Sequence, residues 1–209
     1  MNRRQTLLLA ALAGSPLIAT LFRSSPAWSQ GIDVKAVLND PDAPETGNPK
    51  GDVTIVAYFD YNCPFCKKAE PDLARAVKDD RNVRLVYKDW PILTDASMYG
   101  AQLALGAKYQ GKYHEVHDAL MAIPGRKIAK EKMLEAVKAT SVDVERLAGD
   151  MKTRAPEIVA LLQRNLSQAE AMGLQGTPVY LIGPYKVAET LDYDGFKGAI
   201  QKARSAHKK

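Results

Sequence analysis

Apolar residues in this chain form short continuous runs, typical of buried strands, and longer segments with helical spacing. The clearest run covers residues 53–59 and is apolar on both faces, as expected for a central strand covered by helices. A second run covers residues 83–87, and a helical stretch that ends near Lys78 lies between the two. Strand, helix and strand in this order predict a crossover to a parallel neighbour.

The pattern then stays helical over a long stretch and returns to strands only near the end. The predicted helices cover residues 96–109, 113–121, 130–139, 144–151 and 155–172. Residues 179–182 and 185–188 follow as two strands joined by a turn at Gly183-Pro184, and residues 194–203 form a final helix. The expected fold class is therefore α/β, with strand–helix–strand, a helical insertion, and then strand–strand–helix.

The N-terminus has the pattern of an export signal. Arg3 and Arg4 precede an apolar stretch, residues 7–22, and a polar segment ends in small residues at Ser29. This pattern is typical of a secretory signal peptide cleaved near Ser29. The apolar stretch is 16 residues long, short of the about 20 that a spanning helix needs, so an uncleaved anchor is the less favoured alternative. The paired arginines also suggest twin-arginine export, although Thr6 stands where such signals usually carry Phe.

Removal of this segment lowers the net positive charge of the chain. Residues 1–29 hold three arginines and no acidic residue, so without them the net charge falls from +5 to +2. The remaining charge gives no indication of a nucleic-acid partner. The expected organisation is a polar lead-in at 30–50 with a short helix near 34–38, a core domain from 51–93 and 174–206, and a helical insertion at 94–173.

The candidate chemistry lies in the only two cysteines of the chain, Cys63 and Cys66, directly after the first strand. A disulfide between them closes almost no loop and would stabilise the fold little. Metal binding and redox chemistry remain as reasons for the pair. An exported chain that avoids every other cysteine fits a redox centre that must not mispair.

The position of the pair favours redox chemistry. Cys63 is predicted at the N-cap of a helix whose first residue is Pro64, where the missing N–H costs nothing. A thiolate at the N-cap accepts hydrogen bonds from free N–H groups and lies at the positive end of the helix dipole, so its pKa is lowered. We therefore expect Cys63 to be reactive and exposed, and Cys66 to attack a mixed disulfide from one turn further on.

A zinc site is the structural alternative, because His114 and His117 could complete a Cys₂His₂ set with the two cysteines. The 47 residues between Cys66 and His114 far exceed the spacing of a zinc finger. Histidines on an amphipathic helix are usually packing or surface residues. We therefore expect no metal and no organic cofactor.

These features resemble the thioredoxin superfamily, and in particular its DsbA-like branch of exported thiol–disulfide oxidoreductases. The resemblance covers about residues 50–205 and is carried by FDYNCPFCK at 59–67, YKDWPIL at 87–93 and GTPVYLIG at 176–183. It implies a thioredoxin-like fold with an inserted helical segment. Pro71 falls where the active-site helix of these proteins commonly carries a proline.

The resemblance also implies roles for individual residues. Cys63 would form mixed disulfides, Cys66 would resolve them, and Thr177-Pro178 would be the loop in which a cis-proline faces the disulfide. Thr177 would offer backbone hydrogen bonds to an extended substrate peptide. The expected substrate-binding residues are Pro64, Phe65, Thr177 and Pro178.

Two positions depart from the pattern of the family. Phe65 stands where strongly oxidising members often carry His, and phenylalanine cannot donate a hydrogen bond to a thiolate. Ala57 stands where many relatives carry a buried acid, and Asp60 is expected on the other strand face and so cannot replace it. Lys88 is a candidate for the missing proton route. If none exists, resolution by Cys66 should be slow at neutral pH and faster as pH rises.

The sequence thus predicts a periplasmic thiol–disulfide oxidoreductase that exchanges a Cys63–Cys66 disulfide with cysteines of exported proteins. Its partners would be those proteins and a membrane redox protein that resets the disulfide, and the short lead-in favours a monomer. A disulfide isomerase or reductase of the same fold is the alternative, because Phe65 weakens the case for a strong oxidant. A metal-handling or peptide-binding chaperone that uses the thiols is a further alternative.

Overall fold

The protein folds around a five-stranded sheet with helices on both faces. The computed structural model describes residues 32–206, so the predicted signal peptide lies outside the described residues. The strands are β1 (Glu45–Gly47), β2 (Val53–Phe59), β3 (Val83–Asp89), β4 (Val179–Ile182) and β5 (Tyr185–Val187). The helices are α1 (Val34–Leu38), α2 (Pro64–Asp80), α3 (Asp95–Ala107), α4 (Tyr113–Met121), α5 (Lys130–Lys138), α6 (Val144–Thr153), α7 (Ala155–Ala171) and α8 (Tyr193–Ala206). None of the helices within residues 32–206 has the length and apolar character that a membrane crossing requires.

The strand order in the sheet is β1-β3-β2-β4-β5. β2 and β3 are parallel over their full length, with Val53 beside Val83 and Phe59 beside Asp89. β4 pairs with the other edge of β2 in the antiparallel direction, and β5 pairs with β4. The predicted strand–helix–strand unit and the later hairpin are therefore confirmed, and so is the α/β fold class.

The lead-in contributes an edge strand, β1, that the sequence pattern does not predict. β1 pairs antiparallel with β3, with Glu45 beside Val86 and Gly47 beside Arg84. Gly47 has a φ of +79°, and a Cβ atom there would collide with the carbonyl oxygen of Val83. A three-residue strand shows no alternation that a sequence pattern can reveal.

The two faces of the sheet carry two separate hydrophobic clusters. Val53, Ile55, Ala57 and Phe59 share one face, as the period of two predicts, and both cysteines belong to the cluster on this face. The intervening residues of β2 point into the second cluster, which includes residues of α1 and α7. Burial of each large apolar side chain in these layers contributes about 1.5–3 kcal/mol to stability.

Ionic contacts connect the segment before β1 to the face of the sheet that carries the second hydrophobic cluster. Asp40 accepts hydrogen bonds from Nε and Nη2 of Arg164 on α7, each at 2.9 Å. The Lys88 ammonium on β3 is fully buried and lies 3.7 Å from the same carboxylate. Buried charges require such partners, since an unpaired charge away from water is costly.

The segment between β3 and β4, all of which the structure describes, consists of helices joined by loops and contains no strand, as predicted. Its first predicted helix is shorter than expected, because α3 ends at Ala107 and a 3₁₀ turn, Lys108–Gln110, follows. Gly111 ends this turn with a φ of +69°. The packing of α4 against α2 is the part of this segment that bears on the site, because it brings His117 onto the face that holds the cysteines.

Candidate active site

The cysteine pair lies at the start of α2, directly after β2. Cys63 is the N-cap, with φ −82° and ψ 115°, and Pro64 is the first helical residue. The backbone N–H of Cys66 donates a hydrogen bond to the Cys63 sulfur at 3.3 Å. The predicted N-cap arrangement is confirmed, and it follows from local sequence because proline fixes the helical φ at the first position.

Both cysteines are free thiols and both are buried. The exposed fraction of Cys63 is 2%, the same as that of Cys66. The expectation that Cys63 is exposed is therefore wrong, because the loop that precedes β4 folds over its sulfur. The exposed fraction of the residue does not distinguish the two thiols, whereas the balance between burial and hydrogen bonding does.

The covering loop contains Thr177 and Pro178. The peptide bond between them is cis, as the resemblance implies. The Cys63 thiol donates a hydrogen bond to the carbonyl oxygen of Thr177 at 3.2 Å. The Thr177 hydroxyl is also buried, and it has no hydrogen-bond partner within the described residues.

The surroundings shift the two thiols in opposite directions. The pKa of Cys63 is lowered from 9.0 to about 6, chiefly because the Cys66 thiol hydrogen-bonds to its sulfur. The Thr177 side chain and the backbone N–H groups of Cys66 and Phe65 lower it further, and together these contributions outweigh burial. Burial raises the pKa of Cys66 well above its usual range, and the hydrogen bond and charge of Cys63 raise it further. Cys63 is thus the more acidic thiol of the pair, which is the property expected of a nucleophile and good leaving group at neutral pH.

Two grooves flank the cysteine pair. One, of about 400 Å³, is bordered by Phe65, Thr177 and Pro178. Phe65 is one of the most exposed large apolar residues of the described chain, at 59%. The other groove, of about 590 Å³, runs between α2 and the end of α4 and begins at Pro64. The structure thus brings together all six residues that the sequence analysis assigned to the site, with Pro64 on one side and the other three candidate contacts on the opposite side.

The structure settles the position of the residues considered for proton transfer. Ala57 lies on the face that holds the cysteines and pairs with Tyr87 and Tyr180. The suggestion that Lys88 provides a proton route for Cys66 is wrong. Lys88 follows Tyr87 on β3 and therefore points to the opposite face of the sheet, where it contacts Asp40.

Asp60 is a structural residue of the loop that precedes the cysteines. It is 1% exposed, and its carboxylate accepts hydrogen bonds from three backbone N–H groups. These belong to Asn62 at 2.7 Å, Ile92 at 2.8 Å and Leu93 at 2.9 Å. The carboxylate thereby joins the loop before α2 to the loop after β3 and orients the N-cap residue.

A buried polar cluster that was not predicted from the sequence lies on the cysteine face. Glu70 on α2 is 8% exposed. Its Oε1 atom lies 3.2 Å from Nε2 of His117 and accepts a hydrogen bond from the Tyr87 hydroxyl at 3.3 Å. The Tyr61 hydroxyl lies 3.0 Å from the other ring nitrogen of His117. The spacing of four residues between Cys66 and Glu70 was the available signal, because it places both on one helix face.

The zinc alternative is not supported by this arrangement. His117 contacts Glu70 and Tyr61, whereas His114 lies 3.0 Å from the carbonyl oxygen of Glu45 through Nε2. Across residues 32–206, no group of three or more histidine, cysteine or acidic side chains is arranged to hold a metal ion.

A dithiol at a helix N-terminus, faced by a cis-proline loop on a sheet of this topology, defines a thioredoxin-like protein. A sequence model of the thioredoxin family matches residues 39–202, and the chain belongs to this family. The chain is 38% identical to a thioredoxin-like oxidoreductase from Silicibacter pomeroyi, with a TM-score of 0.77 over 83% of this chain and 98% of that one.

Two curated relatives differ in how much of their length this chain covers. The chain is 28% identical to the thiol:disulfide interchange protein DsbA of Bordetella parapertussis, over 91% of this chain and 90% of that protein. It is 27% identical to the Na⁺/H⁺ antiporter NhaA 1 of Salinispora arenicola, over 84% of this chain but only 27% of that protein. The chain thus spans about a quarter of the antiporter and nearly the whole of the DsbA protein.

Proposed function

We propose that this protein is a thiol–disulfide oxidoreductase that oxidises pairs of cysteines in exported proteins. The observation that carries this proposal is the opposite shift of the two thiols, with the pKa of Cys63 lowered to about 6 and that of Cys66 raised. A disulfide whose reduced form contains a stabilised thiolate accepts electrons readily, because reduction gains the stability of that thiolate.

The reaction has two exchange steps. A substrate thiolate attacks the Cys63 sulfur of the disulfide, a bond forms between the two sulfurs, and Cys66 leaves and takes up a proton. A second substrate thiolate then attacks the substrate sulfur of the mixed disulfide, and Cys63 leaves as a thiolate. Two electrons pass from the substrate dithiol to the Cys63–Cys66 pair, and no cofactor takes part.

The substrate contacts are proposed on both sides of Cys63. An extended substrate segment lies along Thr177 and Pro178, where the groove of about 400 Å³ is bordered by Phe65. In the free dithiol the carbonyl oxygen of Thr177 accepts the hydrogen bond of the Cys63 thiol. Once Cys63 is a thiolate or part of a disulfide, this oxygen is free to accept a hydrogen bond from the substrate backbone. Pro64 borders the other side of the reacting sulfur.

The proposed site of action is the periplasm. The support is the signal pattern at residues 1–29 and the likeness to the DsbA protein of Bordetella parapertussis. In this setting the substrates are cysteine-containing exported proteins, and a membrane redox protein reoxidises the Cys63–Cys66 pair. We propose that the protein works as a monomer.

Trapping of substrates tests the exchange reaction. Cys63→Ser should abolish exchange, whereas Cys66→Ser should accumulate covalent complexes because the resolving thiol is absent. Protein alkylated at both cysteines should lose all exchange activity. Peptide binding that survives alkylation, without any exchange in the untreated protein, would instead favour the chaperone alternative.

The direction of electron flow is tested by the equilibrium reduction potential of the Cys63–Cys66 pair, measured against glutathione. A potential above about −180 mV, near that of protein disulfide isomerase, supports oxidation of substrates. A potential near about −270 mV, as in thioredoxin, would support the reductase alternative. The reductase alternative is retained because Phe65 cannot donate a hydrogen bond to the Cys63 thiolate. Without that donor the reduced form is less stabilised and the disulfide is less oxidising.

A further inference from the structure

The reaction requires a proton acceptor for Cys66. Whenever Cys66 attacks a mixed disulfide on Cys63, its thiol must first lose a proton, and burial raises the pKa of this thiol. Ala57 offers no acid on the strand below, and Lys88 lies on the other face of the sheet. Water or another group on the cysteine face must therefore take the proton.

We propose that the carboxylate of Glu70 is this proton acceptor and that His117 is the residue that positions it. The proposal rests on the proposed exchange reaction and adds to it the route by which the Cys66 proton leaves. It places the acid on the helix that carries the cysteines instead of on the strand beneath them.

The first support is the placement of Glu70 on α2. Glu70 follows Cys66 by four residues, which is about one helical turn, and both belong to the buried face of the helix. A glutamate is almost never fully buried without a partner. Here Tyr87 donates a hydrogen bond to Oε1 at 3.3 Å, and His117 lies 3.2 Å from the same oxygen.

The second support is the connection between Glu70 and the strands beside Ala57. Tyr87 and Tyr180 flank Ala57 in the neighbouring strands. The Tyr87 hydroxyl donates its hydrogen bond to Glu70 from there. Burial raises the pKa of Tyr180, and the charges of Cys66 and Glu70 raise it further, so both groups act on the same tyrosine. Ala57 supplies no carboxylate to this face, whereas Glu70 supplies one from the helix.

The third support is the arrangement of His117. Its ring is fully buried between Tyr61, 3.0 Å from Nδ1, and Glu70, 3.2 Å from Nε2. Burial lowers the pKa of His117, but the contact with Glu70 and the charges of Glu70, Asp89 and Asp118 together outweigh burial, and the pKa is raised. The charged imidazolium attracts the Glu70 carboxylate and fixes its position. Because Nε2 has no hydrogen-bond partner within the described residues, this contact acts mainly through charge.

The groove between α2 and α4 supplies the path from Glu70 to solvent. The groove has a volume of about 590 Å³, and Glu70, Lys67 and Asp118 are among the residues that line it. A proton accepted by the carboxylate can pass to water in this groove, so the acceptor is restored after each turnover. The titratable groups that face Glu70 from the surrounding elements are Cys66, Lys67, Tyr61, Tyr87, His114, His117, Asp118 and Tyr180.

The proposed step balances in atoms and charge. The proton of the Cys66 thiol moves to the Glu70 carboxylate, and the Cys66 thiolate attacks the Cys63 sulfur of the mixed disulfide. The bond between Cys63 and Cys66 forms, the bond between Cys63 and the other sulfur breaks, and that sulfur leaves as a thiolate. In the opposite direction, Glu70 returns a proton to Cys66 as it leaves the disulfide.

Rapid mixing of the reduced protein with excess oxidised glutathione tests the proposal. Acid quenching preserves the mixed disulfide on Cys63 and the final disulfide, which mass spectrometry distinguishes. In the wild type, resolution should depend little on pH between 6 and 8. In Glu70→Gln it should be about 100-fold slower near pH 6.5, rise about tenfold per pH unit, and approach the wild-type rate at high pH. Asp72→Asn, a partly exposed acid on the same helix, is the matched control and should retain the wild-type profile.

A rescue experiment separates proton transfer from a purely structural effect. In Glu70→Ala, formate can enter the vacated site from the groove and should restore resolution in proportion to its concentration. His117→Asn should shift the pH profile of resolution without slowing formation of the mixed disulfide. Two results would overturn the role of Glu70 while leaving the exchange function intact. One is a wild-type pH profile of resolution in Glu70→Gln, and the other is a resolution rate in Glu70→Ala that does not increase with formate. Failure of the wild type to form any mixed disulfide would instead refute the exchange function itself.

Discussion

The sulfur of Cys63 lies 3.2 Å from the carbonyl oxygen of Thr177, although 114 positions separate the two residues in sequence. This contact exists only while Cys63 carries its proton, because a thiolate or a disulfide sulfur has no hydrogen to donate. The hydrogen bond between Cys63 and the loop proposed to hold the substrate therefore depends on the redox and protonation state of Cys63. The same loop carries the buried Thr177 hydroxyl, which lowers the pKa of Cys63.

The low pKa of Cys63 should depend on the side chain of Cys66. The hydrogen bond from the Cys66 thiol is the largest single cause of the shift to about 6. Cys66→Ala should therefore raise the pKa of Cys63, whereas Cys66→Ser, which keeps a donor at the same place, should preserve most of the shift. The ultraviolet absorbance of the thiolate as a function of pH measures this directly. Equal pKa values in the two variants would show that the N-cap backbone, and not the Cys66 side chain, sets the value.

The hydroxyl of Thr177 should tune Cys63 without stabilising the fold. Thr177→Val removes the hydroxyl but preserves shape and leaves the carbonyl oxygen in place. The pKa of Cys63 should rise, because one donor to the thiolate is lost. Stability should change little or increase when Cys63 is protonated, because in that state the hydroxyl has no hydrogen-bond partner in the described part of the chain. An unchanged pKa together with a clear loss of unfolding free energy would contradict this role.

Phe65→His should make the disulfide more oxidising. The imidazole can donate to the Cys63 thiolate and attracts it when protonated, so the reduced form gains stability. Phe65 is exposed, so the substitution removes little packing. A tenfold change in the equilibrium with glutathione corresponds to about 30 mV. Phe65→Leu is the control, since it removes the ring without adding a donor. A potential that stays the same or becomes more reducing in Phe65→His would refute the prediction.

The buried ammonium of Lys88 should make stability depend on pH in the alkaline range. Burial lowers the pKa of Lys88 from 10.5 to about 8, although Asp40 partly opposes this shift. The unfolded chain therefore binds this proton more tightly than the folded protein does. The free energy of unfolding should rise between about pH 8 and 10.5, by on the order of 3 kcal/mol.

Chemical denaturation of the wild type and Lys88→Met across this pH range measures the effect. The contribution of Lys88 is the difference between the two slopes, since other groups also titrate there. Lys78→Met, at an exposed position on α2, should keep the slope of the wild type. Identical slopes in the wild type and Lys88→Met would show that Lys88 has the same pKa in the folded and unfolded chain, so that burial does not lower it.

The elements with long apolar runs were predictable because their patterns are local. β2 and β3 were recognised from continuous apolar runs, and the start of α2 from the proline after Cys63. β1 was not, because a three-residue edge strand gains its stability from pairing with β3 and not from its own side chains. The predicted helix 96–109 extends beyond the end of α3. The chain changes there to a 3₁₀ turn, which ends at Gly111 with a positive φ.

The sequence by itself determined which residues are the candidates for the reaction, because the N-cap position of Cys63, the proline at the first helical position and the spacing to Cys66 are properties of one short segment. Tertiary structure decided how these residues are buried and what surrounds them. The loop at Thr177 covers Cys63, α4 brings His117 to Glu70, and strand alternation sends Lys88 to the opposite face. Each of these contacts joins segments distant in the chain, and the low dielectric of the interior gives charges there their effect on the pKa values. A local pattern contains neither the contacts nor that dielectric.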